Sequence, residues 1–250
     1  MGLKQDFPPG SVVLVGGGPG DPGLMTVAGL AAIREADVIV HDRLGALQCL
    51  EEARVGAEII NVGKIPRGAF TPQEEINSIL VDRARKGLRV VRLKGGDNYV
   101  FGRGGEEWLA CRDAGVPVRV IPGVTSAVSV PALAGIPVTH RGLTQGFVVV
   151  SGHVPPSDPR SEVNWAALAT SNLTLVVLMG VQNLPEIAAE LQRSGLPADT
   201  PAAVVADGAT PGQLTLRAPL SSIADASARA GIKPPAIVVI GQVAALELED

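Results

Sequence analysis

The stretch RLKGGDNYVFGRGGEE, from Arg92 to Glu107, is the part of this sequence that decides the fold. It follows a short apolar run, Val90–Val91, and precedes an apolar helical pattern that begins at Trp108. We therefore predict a connection from the carboxyl end of a strand to a helix, which is where open α/β sheets bind ligands. Its five glycines allow a ligand to approach the backbone closely. A mobile surface loop is the alternative, because glycine and charge are common there too.

The composition indicates a folded chain without a metal centre. The sequence has 250 residues, 46% of them apolar but only 3% aromatic, so the core must consist mainly of Ala, Val, Leu and Ile. No apolar run reaches the ~18 residues of a membrane span, and the first residues lack the apolar segment of a secretory signal. Two distant cysteines make no disulfide framework, and three histidines show no metal-ligand spacing. We expect a cytoplasmic protein that binds no metal and no membrane.

The charges are distributed unevenly along the chain. Residues 1–141 hold 16 Lys or Arg and 15 Asp or Glu, whereas residues 142–250 hold 5 and 10. The basic residues therefore gather in the first part, which suits an anionic ligand held there. A nucleic-acid partner is not expected, because such domains usually carry a net positive charge.

The order of predicted elements indicates two α/β domains. Strands alternate regularly with helices up to about residue 136, which predicts βαβ units and a largely parallel sheet. We place the domains at 1–136 and 137–250, with the boundary at GIPVTHRG, 135–142. The second domain is also α/β, and its residues 213–217 are expected to pair antiparallel. Two capping-box patterns, at 71–74 and 183–186, predict helix starts.

The glycine-rich segment GGGPGDPG, residues 16–23, resembles a dinucleotide fingerprint. Gly18, Gly20 and Gly23 have the G-x-G-x-x-G spacing between a predicted strand and helix. However, Pro19 and Pro22 each remove a backbone N–H that a pyrophosphate would need. A glycine turn that touches another nucleoside-like ligand, and a plain strand–helix turn, are the alternatives.

Several predicted strands, in both domains, end in glycine beside a polar or charged residue, and we expect these ends to line one site. The predicted site offers a carboxylate at Asp42 and an amine at Lys64. It also offers arginines, which bind carboxylates well: Arg43, Arg67, Arg92, Arg103 and Arg141. The sequence shows no Ser–His–Asp set, Cys–His pair or metal cluster. Two hypotheses remain, an enzyme that positions an anionic substrate against a nucleoside-containing cofactor and a non-catalytic binder of small anions.

The opening stretch closely resembles the RLKGGDPFIFGRGGEE block of the uroporphyrinogen-III C-methyltransferases, a branch of the tetrapyrrole methylase family. The resemblance covers nearly the whole chain, from about residue 11 to residue 241. Further matching blocks follow in the family's order: VGGGPGDPGLMT at 15–26, HDRL at 41–44, VGK at 62–64, QEEIN at 73–77, GIPVTHR at 135–141, SGH at 151–153, MGV at 179–181 and KPPA at 233–236.

The resemblance implies two α/β domains with the active site in the cleft between them, usually in a homodimer. It also implies an enzyme that uses S-adenosyl-L-methionine, releases S-adenosyl-L-homocysteine, and methylates uroporphyrinogen III at C2 and C7 to give precorrin-2 for sirohaem or cobalamin. The implied cofactor contacts are Pro19, Gly95, Gly96, Asp97, Val100, Thr125, Ser126, Met179, Gly208 and Ala236. The implied proton acceptor is Asp42 and the implied donor is Lys64. Arg43, Arg103 and Arg141 are expected to bind the substrate's carboxylates.

This sequence departs from the family pattern at several positions near these residues: His41, Asn98, Val100 and Ser126 replace Tyr, Pro, Ile and Ala. Rivals within the fold are a precorrin-4 methyltransferase, a diphthine synthase and a ribosomal-RNA methyltransferase. The DRL and GRGGEE blocks favour the uroporphyrinogen branch. A non-enzymatic binder of tetrapyrroles or nucleosides would bind the cofactor without turnover.

Overall fold

The structure is a computed structural model that describes residues 6–63, 71–246 and 248. The chain divides into two compact units, Met1–Thr125 and Ser126–Asp250. The sequence places the boundary later, at residue 136, and so assigns the helix α4 (Ser126–Leu133) to the first domain. In the structure α4 goes with the second unit, because its Ala127 and Val130 pack into the same apolar cluster as Val176 and Val239.

The first unit is a five-stranded parallel sheet, as its alternating pattern predicts. The strand order is β3-β2-β4-β1-β5, and all four strand pairs are parallel. Its strands are β1 (Val12–Gly16), β2 (Val38–His41), β3 (Glu58–Asn61), β4 (Val90–Lys94) and β5 (Val118–Ile121). Its helices are α1 (Val27–Glu35), α2 (Gln73–Arg85) and α3 (Gly104–Asp113). Because the strands are parallel, their carboxyl ends all lie at one edge.

The three central strands are buried from end to end. β1, β2 and β4 have no exposed residue, so both faces of the sheet are covered, as in other parallel sheets. Alternate residues of β4 belong to different cores: Val90 joins the cluster with Leu80 of α2, whereas Val91 and Leu93 join the cluster on the other face. Arg92 and Lys94 therefore share the face of Val90, since side chains alternate along a strand.

The second unit is a mixed sheet of five strands in the order β6-β7-β10-β8-β9. β6 and β7 are parallel, and the other three pairs are antiparallel. The strands are β6 (Phe147–Ser151), β7 (Thr174–Leu178), β8 (Pro201–Ala206), β9 (Leu214–Pro219) and β10 (Ala236–Ile240). Besides α4, the helices are α5 (Trp165–Ala169), α6 (Leu184–Arg193) and α7 (Leu220–Arg229). The antiparallel strand predicted at 213–217 is β9.

Both capping-box patterns mark helix starts, but neither forms the predicted cap. α2 begins after Pro72 and α6 after Asn183, and neither N-cap residue makes a side-chain cap hydrogen bond. Asn183 instead donates through Nδ2 to the carbonyl oxygen of Gly152 at 2.8 Å. Its amide therefore ties α6 to the loop after β6. None of the helices in the described part of the chain has the length and apolarity of a bilayer span.

Candidate active site

The glycine segment after β1 pairs with the loop after β4. Gly17 N donates to the carbonyl oxygen of Lys94 at 2.7 Å, and Gly18 exchanges two hydrogen bonds with Gly96, at 3.1 and 2.7 Å. These hydrogen bonds form an isolated antiparallel bridge between the two loops. The amides of Gly17 and Gly18 already have acceptors, so they do not form a phosphate cradle. This finding agrees with the argument from Pro19 and Pro22 against a dinucleotide site.

Glycine is required where the ends of β1, β4 and β5 meet. A Cβ on Gly123 would lie 2.6 Å from Gly16 Cα, and a Cβ on Gly16 would lie 2.9 Å from the carbonyl oxygen of Gly96. Both neighbours are backbone atoms, which cannot move aside as a side chain can. The three loops therefore touch backbone to backbone, and this contact fixes the position of the loop that carries Gly95, Gly96 and Asp97.

Asp97 and Asn98 hold that loop from the inside. Asp97 accepts hydrogen bonds from Tyr99 N at 2.8 Å and from Gly123 N at 3.0 Å. Asn98 is fully buried and donates through Nδ2 to the carbonyl oxygens of Ile121 at 3.0 Å and Leu14 at 3.4 Å. The asparagine that replaces the family's proline thus ties the loop to β1 and β5.

The segment between Asn98 and α3 has a strained backbone. Phe101 and Arg103 adopt φ of 53° and 57°, values that side chains rarely tolerate. Such strain is often found at functional sites. The side chain of Arg103 donates to both carboxylate oxygens of Glu106, at 2.8 and 2.7 Å. This pairing raises the pKa of Arg103 and lowers the pKa of Glu106.

A cluster of buried charges lies beneath the loop. Glu107 Oε1 accepts hydrogen bonds from Lys94 Nζ at 2.9 Å, Arg92 Nε at 3.0 Å and Gln73 Nε2 at 3.3 Å. The side chains of Arg92, Lys94 and Glu107 are only 4%, 5% and 0% exposed. Burial, followed by the nearby charge of Arg92, lowers the pKa of Lys94. Burial, followed by the charge of Glu107, raises the pKa of Cys111 to about 11.

Asp42 lies at the rim of this cluster, directly after β2. Its side chain is 24% exposed, and its Oδ2 lies 3.4 Å from Arg92 Nη2. Its Oδ1 accepts a hydrogen bond from Leu44 N at 3.0 Å. The carboxylate is therefore oriented from two sides while it keeps a face to solvent. His41 is buried beside it, with Nδ1 at 2.9 Å from the carbonyl oxygen of Asp42.

In the second unit, three of the predicted cofactor contacts come to one sheet edge. β10 runs antiparallel to β7 and β8, with Ile237 opposite Leu178 and Ala236 opposite Ala206. The start of β10 therefore lies beside the ends of β7 and β8, which lead to Met179 and Gly208. Met179 is 49% exposed and has a φ of 57°. Gly208 packs against Val130 of α4, whose Cγ2 would lie 2.7 Å from an added Cβ.

The structure brings most of the predicted site residues of the first unit to one edge. Those that follow the strands of its parallel sheet are Pro19, Asp42, Arg43, Gly95, Gly96, Asp97, Val100, Arg103 and Thr125. In the second unit, Ser126 begins α4 and Arg141 is exposed before β6. Lys64 and Arg67 lie outside the described residues. The sequence did not assign roles to Lys94 and Glu107, although the alternation of Arg92, Leu93 and Lys94 on a buried strand signals a buried carboxylate partner.

The family of the chain follows from a comparison with known proteins. The model of the tetrapyrrole (corrin/porphyrin) methylases matches residues 11–224. The chain belongs to this family. A uroporphyrinogen-III C-methyltransferase of Methanocaldococcus jannaschii is 45% identical over 235 residues, which are 94% of this chain and 96% of that protein. The resemblance predicted from the sequence blocks is therefore confirmed.

Other relatives are longer than this chain. A siroheme synthase of Methylococcus capsulatus is 46% identical over 97% of this chain but over only 51% of its own length. The chain thus spans about half the length of that relative.

Solved structures agree on the two-unit α/β fold. The uroporphyrin-III C-methyl transferase of Thermus thermophilus, crystallised with S-adenyl homocysteine, is 41% identical with a TM-score of 0.78, covering 93% of this chain and 98% of that one. A cobalt precorrin-4 methyltransferase of cobalamin biosynthesis has a TM-score of 0.86 at 26% identity, covering 98% of this chain and all of that one. The predicted fold class is confirmed.

The residues at the carboxyl edge of the first unit fit a cationic sulfonium cofactor better than a phosphate-bearing one. Asp97 is a partly exposed acidic residue, whereas the amides of Gly17 and Gly18 already have acceptors and leave no phosphate cradle. Met179 and Ala236 offer apolar contact. The described residues include no group of His, Cys, Asp and Glu that could hold a metal ion.

Proposed function

We propose that this chain is an S-adenosyl-L-methionine-dependent C-methyltransferase that converts uroporphyrinogen III to precorrin-2 by methylation at C2 and C7. The observation that carries the proposal is Asp42, a partly exposed carboxylate held by Leu44 N and the buried Arg92 at the carboxyl edge of a parallel sheet. The relatives support the choice of reaction, because the methyltransferase of Methanocaldococcus jannaschii matches over 96% of its length.

The chemistry needs few functional groups from the protein. S-adenosyl-L-methionine supplies an electrophilic methyl group, which an electron-rich pyrrole carbon attacks. The protein must align the two reactants and exclude water. A base must then accept a proton as the ring rearranges. Asp42 is our candidate for this base, and Lys64 is the candidate donor.

The basic residues suit a substrate that carries many carboxylates. Arg43 and Arg103 are exposed at the edge that holds Asp42, and Arg141 is exposed in the second unit. Arginine binds carboxylates through two parallel hydrogen bonds. We propose that these three arginines bind the substrate's side-chain carboxylates. The Glu106 partner of Arg103 must then compete with the substrate or rearrange.

The proposed cofactor contacts form two sets. Pro19, Gly95, Gly96, Asp97, Val100 and Thr125 belong to the first unit, and Ser126, Met179, Gly208 and Ala236 belong to the second. Asp97 contributes by fixing the loop and by its negative charge, which suits a sulfonium cation. On the resemblance alone we also propose that the protein is cytoplasmic and forms a homodimer. Light scattering of the purified protein tests the homodimer.

The decisive experiment is an anaerobic incubation with uroporphyrinogen III and S-adenosyl-L-methionine, followed by mass spectrometry of the oxidised product. We expect a gain of two methyl groups and a matching release of S-adenosyl-L-homocysteine. A chain that binds S-adenosyl-L-homocysteine tightly but adds no methyl group would contradict the substrate assignment. It would favour the non-enzymatic binder or another substrate.

The structural likeness to a cobalt precorrin-4 methyltransferase, with its TM-score of 0.86, supports a second candidate substrate. The same assay therefore includes a parallel reaction with a later corrinoid intermediate. We expect turnover with uroporphyrinogen III only, because the sequence identity to that methyltransferase is 26%, against 45% to the uroporphyrinogen enzyme.

A further inference from the structure

Glu107 is the centre of the buried charge cluster rather than a member of a surface ion pair. Its side chain is 0% exposed, and a single oxygen, Oε1, accepts hydrogen bonds from three donors on two other elements. Those donors are Lys94 and Arg92 of β4 and Gln73 of α2, whereas Glu107 itself lies on α3. The carboxylate therefore joins β4, α2 and α3 beneath the site.

Arg92 connects this centre to Asp42. Its Nε donates to Glu107, its Nη2 faces Asp42 Oδ2 at 3.4 Å, and its Nη1 donates to the carbonyl oxygen of Leu93 at 2.8 Å. A guanidinium is planar and rigid, so the hydrogen bond at Nε also fixes the direction of Nη2. Glu107 thus sets the plane of Arg92, and Arg92 orients the carboxylate of Asp42.

A structural role alone does not account for this arrangement. Buried ion pairs are costly, and their replacement by apolar residues of similar volume is often neutral or stabilising. One buried carboxylate, that of Glu107, holds two buried cations, and a second carboxylate, that of Asp42, lies partly exposed at the rim. The cluster therefore reaches the site through Asp42. Asp42 is the only one of the four charged groups with appreciable exposure, at 24%.

We infer that Glu107 is a positioning residue for Asp42 that acts through Arg92. The inference rests on the proposed function, in which Asp42 is the base. Glu107→Gln is the informative variant, because the amide oxygen still accepts hydrogen bonds while the negative charge is lost. Glu52→Gln is the matched control, since Glu52 is an exposed glutamate of the same unit paired with Arg34.

The test is a double-mutant cycle of Glu107→Gln and Asp42→Asn in the anaerobic assay. We expect Glu107→Gln alone to lower kcat about 10- to 100-fold, since small displacements of a catalytic group are this costly. The Kd for S-adenosyl-L-homocysteine and the activity of Glu52→Gln are expected to stay within about twofold of the parent. In the Asp42→Asn background the same change is expected to lower kcat by less than about threefold, because groups that act as a unit are not additive.

Several outcomes would overturn the inference. If the two losses multiply, if Glu107→Gln weakens S-adenosyl-L-homocysteine binding in proportion to its loss of rate, or if Glu107→Gln is fully active, then Glu107 does not act through Asp42. If Glu107→Gln does not yield folded protein, Glu107→Asp replaces it under the same criterion, because it keeps the charge but shortens the reach.

The cycle also separates this inference from the proposed function. If the parent protein does not methylate uroporphyrinogen III, the proposed function fails on that result. The same four proteins are then compared in urea unfolding. A coupling of at least about fivefold in the unfolding equilibrium constant supports the connection between Glu107 and Asp42, and additive effects refute it.

Discussion

The two units differ at the sheet edges that carry the proposed site residues. In the first unit all strands are parallel, and the edge is underlain by the buried charges of Arg92, Lys94 and Glu107. In the second unit the sheet is mixed, and the buried polar residues among those the structure describes are all uncharged: Ser129, Thr174, Thr200 and Ser227. We therefore propose that the first edge holds charge and moves a proton, whereas the second offers shape and apolar contact.

The contacts that fix the two edges differ as well. The loops of the first edge touch through backbone atoms at Gly16, Gly96 and Gly123, which leaves them little room to shift relative to one another. At the second edge, Gly208 touches the side chain of Val130, which can yield, whereas an added Cβ on Gly152 would lie 2.6 Å from the backbone of Gly180. We therefore expect substitution to be tolerated less well at Gly123 of the first edge than at Gly208 of the second.

The largest expected effect is the loss of activity in Asp42→Asn. The amide keeps the size of the side chain and can still accept from Leu44 N, but it cannot act as a base. General-base catalysis contributes about 10²- to 10⁴-fold, so kcat is expected to fall by that factor in the anaerobic assay. The control, Asp113→Asn, neutralises an aspartate that is 65% exposed on α3 and is expected to leave kcat unchanged. Retention of more than about a third of the activity by Asp42→Asn would rule out a proton acceptor there.

The next largest effect concerns the backbone contact of the first edge. In Gly123→Ala the added methyl group would lie 2.6 Å from Gly16 Cα, so the backbone must shift. We expect the free energy of unfolding to fall by about 3 kcal/mol or more, measured by urea denaturation. Gly105→Ala is the control, because it lies in α3 with no atom within 4 Å of the new Cβ. It is expected to change stability by less than about 1 kcal/mol, in the stabilising direction.

Much of the first edge could be predicted from the sequence because its signals are local. Strands that end in glycine and charge, as at Asp42 and Gly95, identify both the edge and the direction of the sheet. The apolar helical pattern that begins at Trp108 belongs to α3, which begins at Gly104. The charge cluster was harder to predict, since Arg92 and Glu107 stand 15 residues apart in sequence and meet only when α3 packs on β4.

The cap predicted for α6 fails because its side chain has two possible sets of partners. Asn183 is of a residue type common at helix N-caps, yet its side-chain amide donates to carbonyl oxygens of the loop after β6. The positive φ of Phe101 and Arg103 also escapes prediction, because these residue types carry no preference for it. The contacts of Asn183 are tertiary, and no local pattern in the sequence records them.

A third prediction tests whether ionisable groups are strongly desolvated beneath the first edge. Burial, together with the charge of Glu107, raises the pKa of Cys111 from 9.0 to about 11. Between these values the unfolded chain loses the thiol proton while the folded chain keeps it, so this group's contribution to stability is present below pH 9 and lost as the pH rises through 11. At 1.36 kcal/mol per unit, the loss is roughly 3 kcal/mol.

The measurement is urea unfolding with reductant at pH 7.5 and pH 10.5, for the parent and for Cys111→Ala. We expect the parent to lose more stability than the variant over this interval, by roughly 2 kcal/mol, because pH 10.5 lies below the folded pKa and the loss is not yet complete. The thiol of Cys111 is also expected to resist a thiol reagent in the folded protein at pH 8. Equal losses in the two proteins would mean that Cys111 is not desolvated as the structure indicates.

The smallest expected effect probes the softer contact of the second edge. In Gly208→Ala the new methyl group meets Cγ2 of Val130 at 2.7 Å, and a side chain on α4 can adjust more easily than the backbone at Gly123. We expect a loss of about 1–2 kcal/mol. Val130→Ala removes the obstructing methyl groups, so the double variant Gly208→Ala, Val130→Ala is expected to be more stable than the sum of the single changes predicts, by at least about 1 kcal/mol. Additive losses, or a loss as large as that of Gly123→Ala, would show that the second edge is as rigid as the first, and the contrast between the two edges would then lie in their charges alone.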